Sequence, residues 1–441
     1  MSAIFQAFKD ADLRKKIIFT LVMIILYRVG AQIPSPGVDY ATIAGRLREL
    51  TEESGNLYSV INLFSGGALL QLSIFAIGIM PYITASIIVQ LLTVVIPHFE
   101  QLKKEGQSGQ AKMTQYTRYL TLALALLQSS GIVALADREQ LLGQGVRVLA
   151  EDRNFFTLVV LVITMTAGAI LVMWMGELIT EKGIGNGMSL MIFAGIATRL
   201  PTDGLSIMQN NGGLVFAMVL AGLIVLVVGI TFIEQGQRRI PVQYAKRMVG
   251  RRQYGGSSTY LPLKVNQAGV IPVIFASSLI YMPVLITQIV NSGSPGVSDN
   301  WWQRNVIAHL QAPSSWQYIV LYFVLTIFFS YFYVSVQYDP AEQADNMKKY
   351  GGFIPGIRPG RPTAEYLGFV MNRLLFVGSI YLALIAVLPN ILLDLGVGRA
   401  GASGTSAFGG TAILIMVSVA LTTVKQIESQ LLQSNYEGLL K

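Results

Sequence analysis

The sequence predicts an all-α polytopic membrane protein, on three observations. Hydrophobic residues make up 53% of the 441 and charged residues only 13%, a balance found in membrane-embedded chains rather than in large soluble enzymes. Residues 54–99, a run of 46 between Glu53 and Glu100, contain no Asp, Glu, Lys or Arg. Further apolar runs recur to the end of the chain, and Lys and Arg gather on alternate connections between them.

Taken in order, the runs place ten spans near residues 17–35, 59–96, 119–136, 154–176, 187–201, 214–233, 265–290, 317–338, 366–389 and 409–426. The first contains Arg28 and lacks a small-residue cleavage site after it, so it reads as a retained span rather than a signal peptide. Before it, Ile4, Phe5, Phe8 and Leu13 alternate with Lys9, Asp10, Asp12 and Arg14. That pattern suits a helix lying on the membrane surface, and equally a loosely ordered tail. The second region is too long for one span of ~20 residues, and too short for two spans with an uncharged loop between them. It parses as a short half-helix from Ser59 to Phe64, a joint at Ser65-Gly66-Gly67, and a full helix from Ser73 to Val95. A broken helix at membrane depth is tolerated only where protein or a water-filled cavity surrounds it. The chain therefore encloses something polar or something that moves. The fifth span is short and glycine-rich.

Ten is an even number, so both termini share a side. With the termini cytoplasmic, 23 of the 32 Lys/Arg, including all 13 lysines, lie on the cytoplasmic side; 8 lie outside with 11 acids, and Arg28 sits within a span. Basic residues resist translocation, which fixes this orientation. The pI near 9.4 is then a signature of topology, not of a nucleic-acid-binding domain.

Two cytoplasmic loops are longer than a tight connection needs. Residues 234–264 carry Arg238, Arg239, Lys246, Arg247, Arg251, Arg252 and Lys264, and residues 338–365 carry Gly356-Ile357-Arg358-Pro359-Gly360-Arg361. Long ordered loops are often functional, and these would form a docking platform for a cytoplasmic partner, including a phosphate-rich one such as RNA. Any single basic residue among them could equally serve only to anchor topology.

Chemistry is sparse. The chain has no cysteine, so neither a disulfide framework nor a thiolate site is available. His98 and His309 stand apart without metal-ligand spacing, and no glycine-rich stretch ends in Lys-Ser/Thr as a phosphate loop would. Gly183-Ile184-Gly185-Asn186-Gly187 lies between spans, not after a soluble strand. Arg199 and Arg373 lie at span ends, where they can snorkel. No Asp or Glu falls at mid-membrane depth, where an ion-coupled carrier ordinarily keeps one. No catalytic, cofactor-binding or metal-ligating residue is assigned, and whatever moves through the protein is driven from elsewhere.

Ile79 and Ile83 are four residues apart in span 2, and Met188 and Ile192 repeat that spacing in span 5. Such spacing is ordinarily helix packing. Gly78 and Pro81 allow a bend there, and small residues (Gly78, Ala85, Ser86, Gly195, Ala276, Ser277, Ser278) permit close helix contacts. Gln90, Asn266 and Gln267 would either cap backbone or form a polar seam between spans.

At these residues the chain resembles the SecY family of bacterial protein-conducting channels. The likeness rests on Asn62-Leu63-Phe64-Ser65-Gly66-Gly67-Ala68-Leu69, Gly78-Ile79-Met80-Pro81-Tyr82-Ile83-Thr84-Ala85-Ser86-Ile87-Ile88 and Thr180-Glu181-Lys182-Gly183-Ile184-Gly185-Asn186-Gly187. It continues through Leu261-Pro262-Leu263-Lys264-Val265-Asn266, Gly269-Val270-Ile271-Pro272 and Phe353-Ile354-Pro355-Gly356-Ile357-Arg358-Pro359-Gly360. The resemblance implies ten helices in two pseudo-symmetric halves of five, residues 1–205 and 206–441, around a central pore. It implies a plug of Ile61, Asn62, Leu63, Phe64, Ser65, Gly66, Gly67, Ala68 and Leu69. The pore ring would be Ile79, Ile83, Met188, Ile192, Ile274 and Ile415, with Met188 where family members commonly carry isoleucine. Ser86, Gln90, Asn266 and Ser278 would line a lateral gate between spans 2 and 3 and spans 7 and 8.

The partners implied are the small subunits SecE and SecG, the motor ATPase SecA, the ribosome with its rRNA, signal peptides, nascent chains and membrane lipid. Arg358 is the leading docking residue, with Arg361 beside it. The location implied is the cytoplasmic (inner) membrane, multi-pass, with both termini cytoplasmic. Elementary chemistry agrees: branched apolar side chains offer ions and water no hydrogen bonds, and such constrictions gate by dewetting. A secondary transporter of small solutes is the competing reading of the broken helix. A membrane enzyme is weaker still, for want of a paired nucleophile and base.

Overall fold

The computed structural model describes residues 10–39, 43, 66–69, 71–137, 148–149, 154–244, 247–249, 252–254, 258–291, 306, 308–310, 315–396 and 409–439. Each of the ten predicted spans contains one long helix. In chain order, with two shorter helices between spans, these are α1 (Ala11–Gln32), α2 (Met80–Val95), α3 (Pro97–Lys104), α4 (Gln107–Asp137), α5 (Phe155–Lys182), α6 (Gly187–Asn211), α7 (Gly213–Gln235), α8 (Ile271–Asn291), α9 (Trp316–Gln337), α10 (Pro340–Lys349), α11 (Arg361–Gly396) and α12 (Gly410–Leu439). Among the described residues, six helices meet the length and apolarity needed to cross a bilayer, and α2 with α3 forms a further pair bent by 99°.

Local sequence explains where helices start. Asp10 accepts a hydrogen bond from the Asp12 N–H, Asn186 accepts from Met188 and Ser189, and Ser315 accepts from Tyr318. Each side-chain oxygen satisfies donors that the first turn leaves unpaired. Most helices outrun their hydropathy windows. α4 starts at Gln107 rather than 119, and α11 at Arg361 rather than 366, because helical backbone continues into water once the apolar part has formed.

The second span corrects the sequence reading. Its full helix begins at Met80, not Ser73. Residues 71–79 run as successive turns, with Leu72 at φ 43° and Gly78 at φ 60°. Pro81 sits in the first helical positions, where its missing N–H costs nothing. The turn segment bonds partly within itself, Ala76 N to Ser73 O (3.0 Å) and Gly78 N to Phe75 O (2.9 Å), and partly to the chain after α1: Ser35 N donates to Leu72 O (3.0 Å), and Ile74 N to Ile33 O (3.0 Å). The half-helix expected over Ser59–Phe64 lies outside the described residues, as do Ile61, Asn62, Leu63, Phe64 and Ser65 of the expected plug. Gly66–Leu69 form a turn rather than a helix. The N-terminal surface helix also falls largely outside, although Leu13 is buried against Ile184 and Leu431.

Between the helices, side-chain hydroxyls make the polar contacts. Ser129 of α4 meets Thr166 of α5 at 2.8 Å, and Tyr322 of α9 meets Thr411 of α12 at 2.8 Å. In lipid there is little hydrophobic drive between helices, so packing and such bonds hold them. Backbone can also approach closely where a side chain is absent. A Cβ at Gly168 on α5 would lie 1.9 Å from the Ile74 carbonyl oxygen, so this glycine seats the turn segment against α5.

Both long basic loops contain strands among their described residues. β1 (Gln237–Tyr244) pairs antiparallel with β4 (Ser258–Lys264), and on its other edge with β5 (Gly352–Phe353). A second, smaller hairpin joins β2 (Arg247–Val249) to β3 (Arg252–Tyr254). The three-stranded sheet thus unites the loop after span 6 with the loop after span 8. Its alternation, with Ile240 and Val242 buried between exposed neighbours, is the period-two signature of a one-sided strand.

Replacing Gly168 by Ala should destabilise the folded protein by about 1–3 kcal/mol through overpacking, read as a lower thermal midpoint in detergent. Gly222→Ala on α7, where a Cβ meets nothing within 4 Å, should leave the midpoint unchanged or raise it. Equal midpoints for the two variants would contradict the close seating of the turn segment.

Candidate functional site: an apolar constriction and its surroundings

Ile79, Ile83, Ile192, Ile274 and Ile415 come from four helical elements far apart in sequence, and all five fall in one contiguous apolar cluster. Their exposures run from 1% to 9%, so all five are buried and little of their surface meets solvent. Ile79 caps α2 and its carbonyl accepts the Ile83 N–H at 3.2 Å, so the two remain one turn apart even though the helix starts late. Ile192 lies in α6, Ile274 in the first turn of α8, and Ile415 in α12. Met188 packs against this cluster and is only partly buried. Its sulfur occupies the notch left by Gly176 of α5, where a Cβ would lie 2.5 Å away. Methionine's flexible thioether suits such an irregular gap.

The turn segment lies beside the cluster. Phe75 stacks on Tyr27 of α1 with centroids 6.0 Å apart. Leu69 and Leu72 are buried in a second apolar cluster with residues of α4 and α5. Arg28, which the sequence left without a role, donates from Nη1 to the Gly66 carbonyl at 3.0 Å.

α8 packs against both α2 and α4, and within the second set of helices against α9 and α11. This is the seam where the sequence expected a lateral gate. Ser278 is buried and its Oγ has no hydrogen-bond partner. Gln90 Nε2 turns back to Ser86 Oγ of its own helix at 3.4 Å. Asn266 meets both alternatives: it bonds the N–H and the C=O of Gly269 as a backbone cap, and its amide donates to Glu234 of α7 at 2.6 Å, a polar link between spans. Two contacts that sequence reasoning missed lie at the helix ends on the side of the basic loops. Lys103 Nζ of α3 donates to the Val336 carbonyl in the last turn of α9, where unpaired carbonyls and the helix dipole favour a cation. Arg118 of α4 forms a two-pronged ion pair with Glu177 of α5 at 3.0 and 2.8 Å. Nothing in a sequence pattern pairs Lys103 with a residue 233 positions away.

On the cytoplasmic sheet, Arg238 and Arg239 are exposed on β1. Arg247 and Arg252 lie on β2 and β3, whereas Lys246 and Arg251 fall outside the described residues. Arg358 and Arg361 are exposed after β5. The turn that carries Arg358 is fixed by its own bonds: Ile357 N to Ile354 O at 3.0 Å, and Thr363 Oγ1 to the Arg358 carbonyl at 2.9 Å. Arg361 pairs with Glu365 at 3.1 Å. On α3, Lys104 hydrogen-bonds Glu100 at 2.6 Å and holds that carboxyl below the usual carboxylate range.

The SecY family model matches residues 73–424. The chain belongs to the SecY family. It is 87% identical to the protein translocase subunit SecY of Corynebacterium glutamicum over 441 residues, with both chains covered completely. It is 63% identical to the SecY subunit of Mycobacterium tuberculosis, again over the full length of both. Among solved structures, the fold is similar to a protein-conducting channel (TM-score 0.64, 18% identity, covering 93% of this chain and 91% of the other). It is also similar to a SecY described through a plug domain that stabilises its closed state (TM-score 0.65, 20% identity, covering 93% and 91%), and to Sec61 of the canine ribosome–channel complex (TM-score 0.60, 17% identity, covering 93% and 91%). The family's fold accounts for the all-α arrangement of membrane helices and for the broken second span.

Proposed function

We propose that this chain is the passive protein-conducting subunit of a translocase, which passes unfolded secretory polypeptides across a membrane and releases apolar segments sideways into lipid. The observation that carries this reading is the single apolar cluster joining Ile79, Ile83, Ile192, Ile274 and Ile415, with Met188 against it, directly beside a turn segment that is not helical. A collar of this kind holds back ions by offering them no ligand. It also yields to any chain, because dispersion contacts carry no sequence preference.

The finer assignments follow from the same reading. Residues 1–205 and 206–441 form the two halves, and the collar lies where they meet. Residues 61–69 are the plug on its outer side. The α8 seam against α2 and α4 is the lateral gate, lined by Ser86, Gln90, Asn266 and Ser278, and its packed state corresponds to a closed gate. Once that seam parts, a segment sorts by partition: each central Leu or Ile favours lipid by a few tenths of a kcal/mol, and each Lys or Arg opposes by ~3 kcal/mol. No bond is made or broken, so the chain itself is not an enzyme.

The energy comes from outside, from SecA or a translating ribosome docked on the basic sheet. SecE and SecG are the companion membrane subunits, and signal peptides and nascent chains are the passengers. The concentration of Lys and Arg on one set of loops supports a cytoplasmic (inner) membrane location with both termini cytoplasmic. The pairing of β1 with both β4 and β5 supports a single docking platform carrying Arg238, Arg239, Arg358 and Arg361, to which we assign Arg247 and Arg252 of the smaller hairpin, and, from the sequence alone, Lys246 and Arg251.

Replacing Ile79, Ile83, Ile192 and Ile274 together by Asn should make the resting channel conduct ions in planar bilayers; conductance equal to the parent would remove the collar from the account. Arg358→Glu should cut SecA-driven export at least tenfold while the protein still assembles in membranes, and export at the parental rate would refute the docking role.

A further inference from the structure

The short helix α3 is an arm fixed to α2 and α4. It leaves α2 at 99°. Its Leu102 is buried with Val89 of α2 and Met113 of α4, and its Phe99 meets the Tyr116 ring of α4 edge-on, with centroids 5.5 Å apart. A Cβ at Gly109 of α4 would lie 1.8 Å from the Leu102 carbonyl oxygen, so the two backbones are in contact. The free end of this arm carries Lys103 and Lys104. Lys104 stays at home, bonded to Glu100 of its own helix. Lys103 reaches outward, to the carbonyl of Val336 on α9.

The sequence prepares that acceptor. A helical carbonyl pairs with the N–H four residues on. For Val336 that residue is Pro340, which has no N–H to give. The same proline opens α10, with Asp339 as its cap. Glu100 and, more weakly, Asp339 push the Lys104 ammonium above its usual range, so a second charge of the arm feels the α9–α10 junction. That junction belongs to a different set of helices: α9 packs on α8 and α11, and α10 on α11 and β5. Lys103 therefore bridges the end of the seam along which α8 meets α2 and α4.

We infer that Lys103 is a clasp on this seam: its ammonium holds the carbonyl end of α9 and biases the seam towards its packed state. The inference rests on the reading of the seam as a lateral gate. A cation at an exposed helix end is a weak, salt-sensitive hold, which suits a contact that must let go at each opening. α10 leads directly into β5, so the acceptor lies on the same stretch of chain as the docking sheet.

The natural absence of cysteine allows a direct test. Gln101→Cys on α3 and Asp345→Cys on α10, both exposed positions, are spin-labelled in the full-length chain, purified with its bound subunits and reconstituted in liposomes. Pulsed electron paramagnetic resonance then gives the distances between the labels. Lys103→Met should raise the ratio of long to short distances about two- to fivefold, the factor for one cation at a helix end. Lys103→Glu should raise it further, since a carboxylate repels the carbonyl end, and Lys103→Arg should restore the parental distribution. Raising KCl from ~0.1 M to ~1 M should move the parent towards Lys103→Met and leave Lys103→Met unchanged, a response that a helix end held by packing alone does not give. Identical distributions for the parent, Lys103→Met and Lys103→Glu overturn the clasp. Membrane insertion of a model segment is scored in parallel against its number of leucines, and Lys103→Met should lower the threshold by about one or two. Distances that shift while the threshold stays put leave the clasp standing and sink the gate reading; distances that do not shift sink the clasp alone.

Discussion

Apolar contact between elements remote in sequence, made at a point where backbone and water must both be managed, is the constraint on which this structure depends. Ile79, Ile83, Ile192, Ile274 and Ile415 carry no group that could bind an ion, and all five are buried in one apolar cluster. Dispersion contacts are individually small and undirected, so such a junction resists ions and water while remaining separable by force along the chain axis. The broken second span follows from the same constraint. Non-helical backbone at membrane depth survives only inside protein, and residues 71–79 survive by bonding to Ile33 and Ser35 and by packing on Gly168.

Around that junction the polar interactions are few and sit where movement would occur. Arg28 holds the glycine joint, Lys103 reaches from α3 to the end of α9, and Asn266 ties the start of α8 to Glu234 of α7. Each joins an element on one side of a proposed moving boundary to a fixed one, or stiffens the approach to it. The cytoplasmic sheet adds a mechanical link. Because β1 pairs with both β4 and β5, a partner gripping either basic loop pulls on both.

Much of this was legible in the sequence. Each of the ten apolar runs contains a helix, six of them long and apolar enough to cross a bilayer among the described residues, and the interruption near Gly66 to Gly78 was visible as an uncharged stretch of awkward length. The helix start was misjudged at Ser73 because residues 73–79 are as apolar as a helix would be, and hydropathy cannot see that some of their hydrogen bonding goes to the chain after α1. The spacing of Ile79 with Ile83 and of Met188 with Ile192 read as ordinary helix packing, and the whole proposed collar, Ile274 and Ile415 included, came only from family likeness, since nothing local marks an isoleucine as facing a pore. Asn266 read as either cap or seam, and it is both: its bonds to Gly269 cap backbone and its bond to Glu234 links it to α7. The strand at Ile240 and Val242 carried a period-two signal that the wealth of arginine obscured. Lys103 with Val336 and β1 with β5 were beyond reach, because both are pairings between distant segments without a local signature.

The central claim is that a passenger travels through the apolar junction. The most direct measurement places a photo-activatable residue in a secretory polypeptide arrested midway through transport and maps its cross-links on this chain. The account predicts adducts at Ile79, Ile83, Ile192, Ile274 and Ile415. Adducts confined to the outward face of α7, at exposed residues such as Val225 and Phe232, with none at the junction, would contradict it.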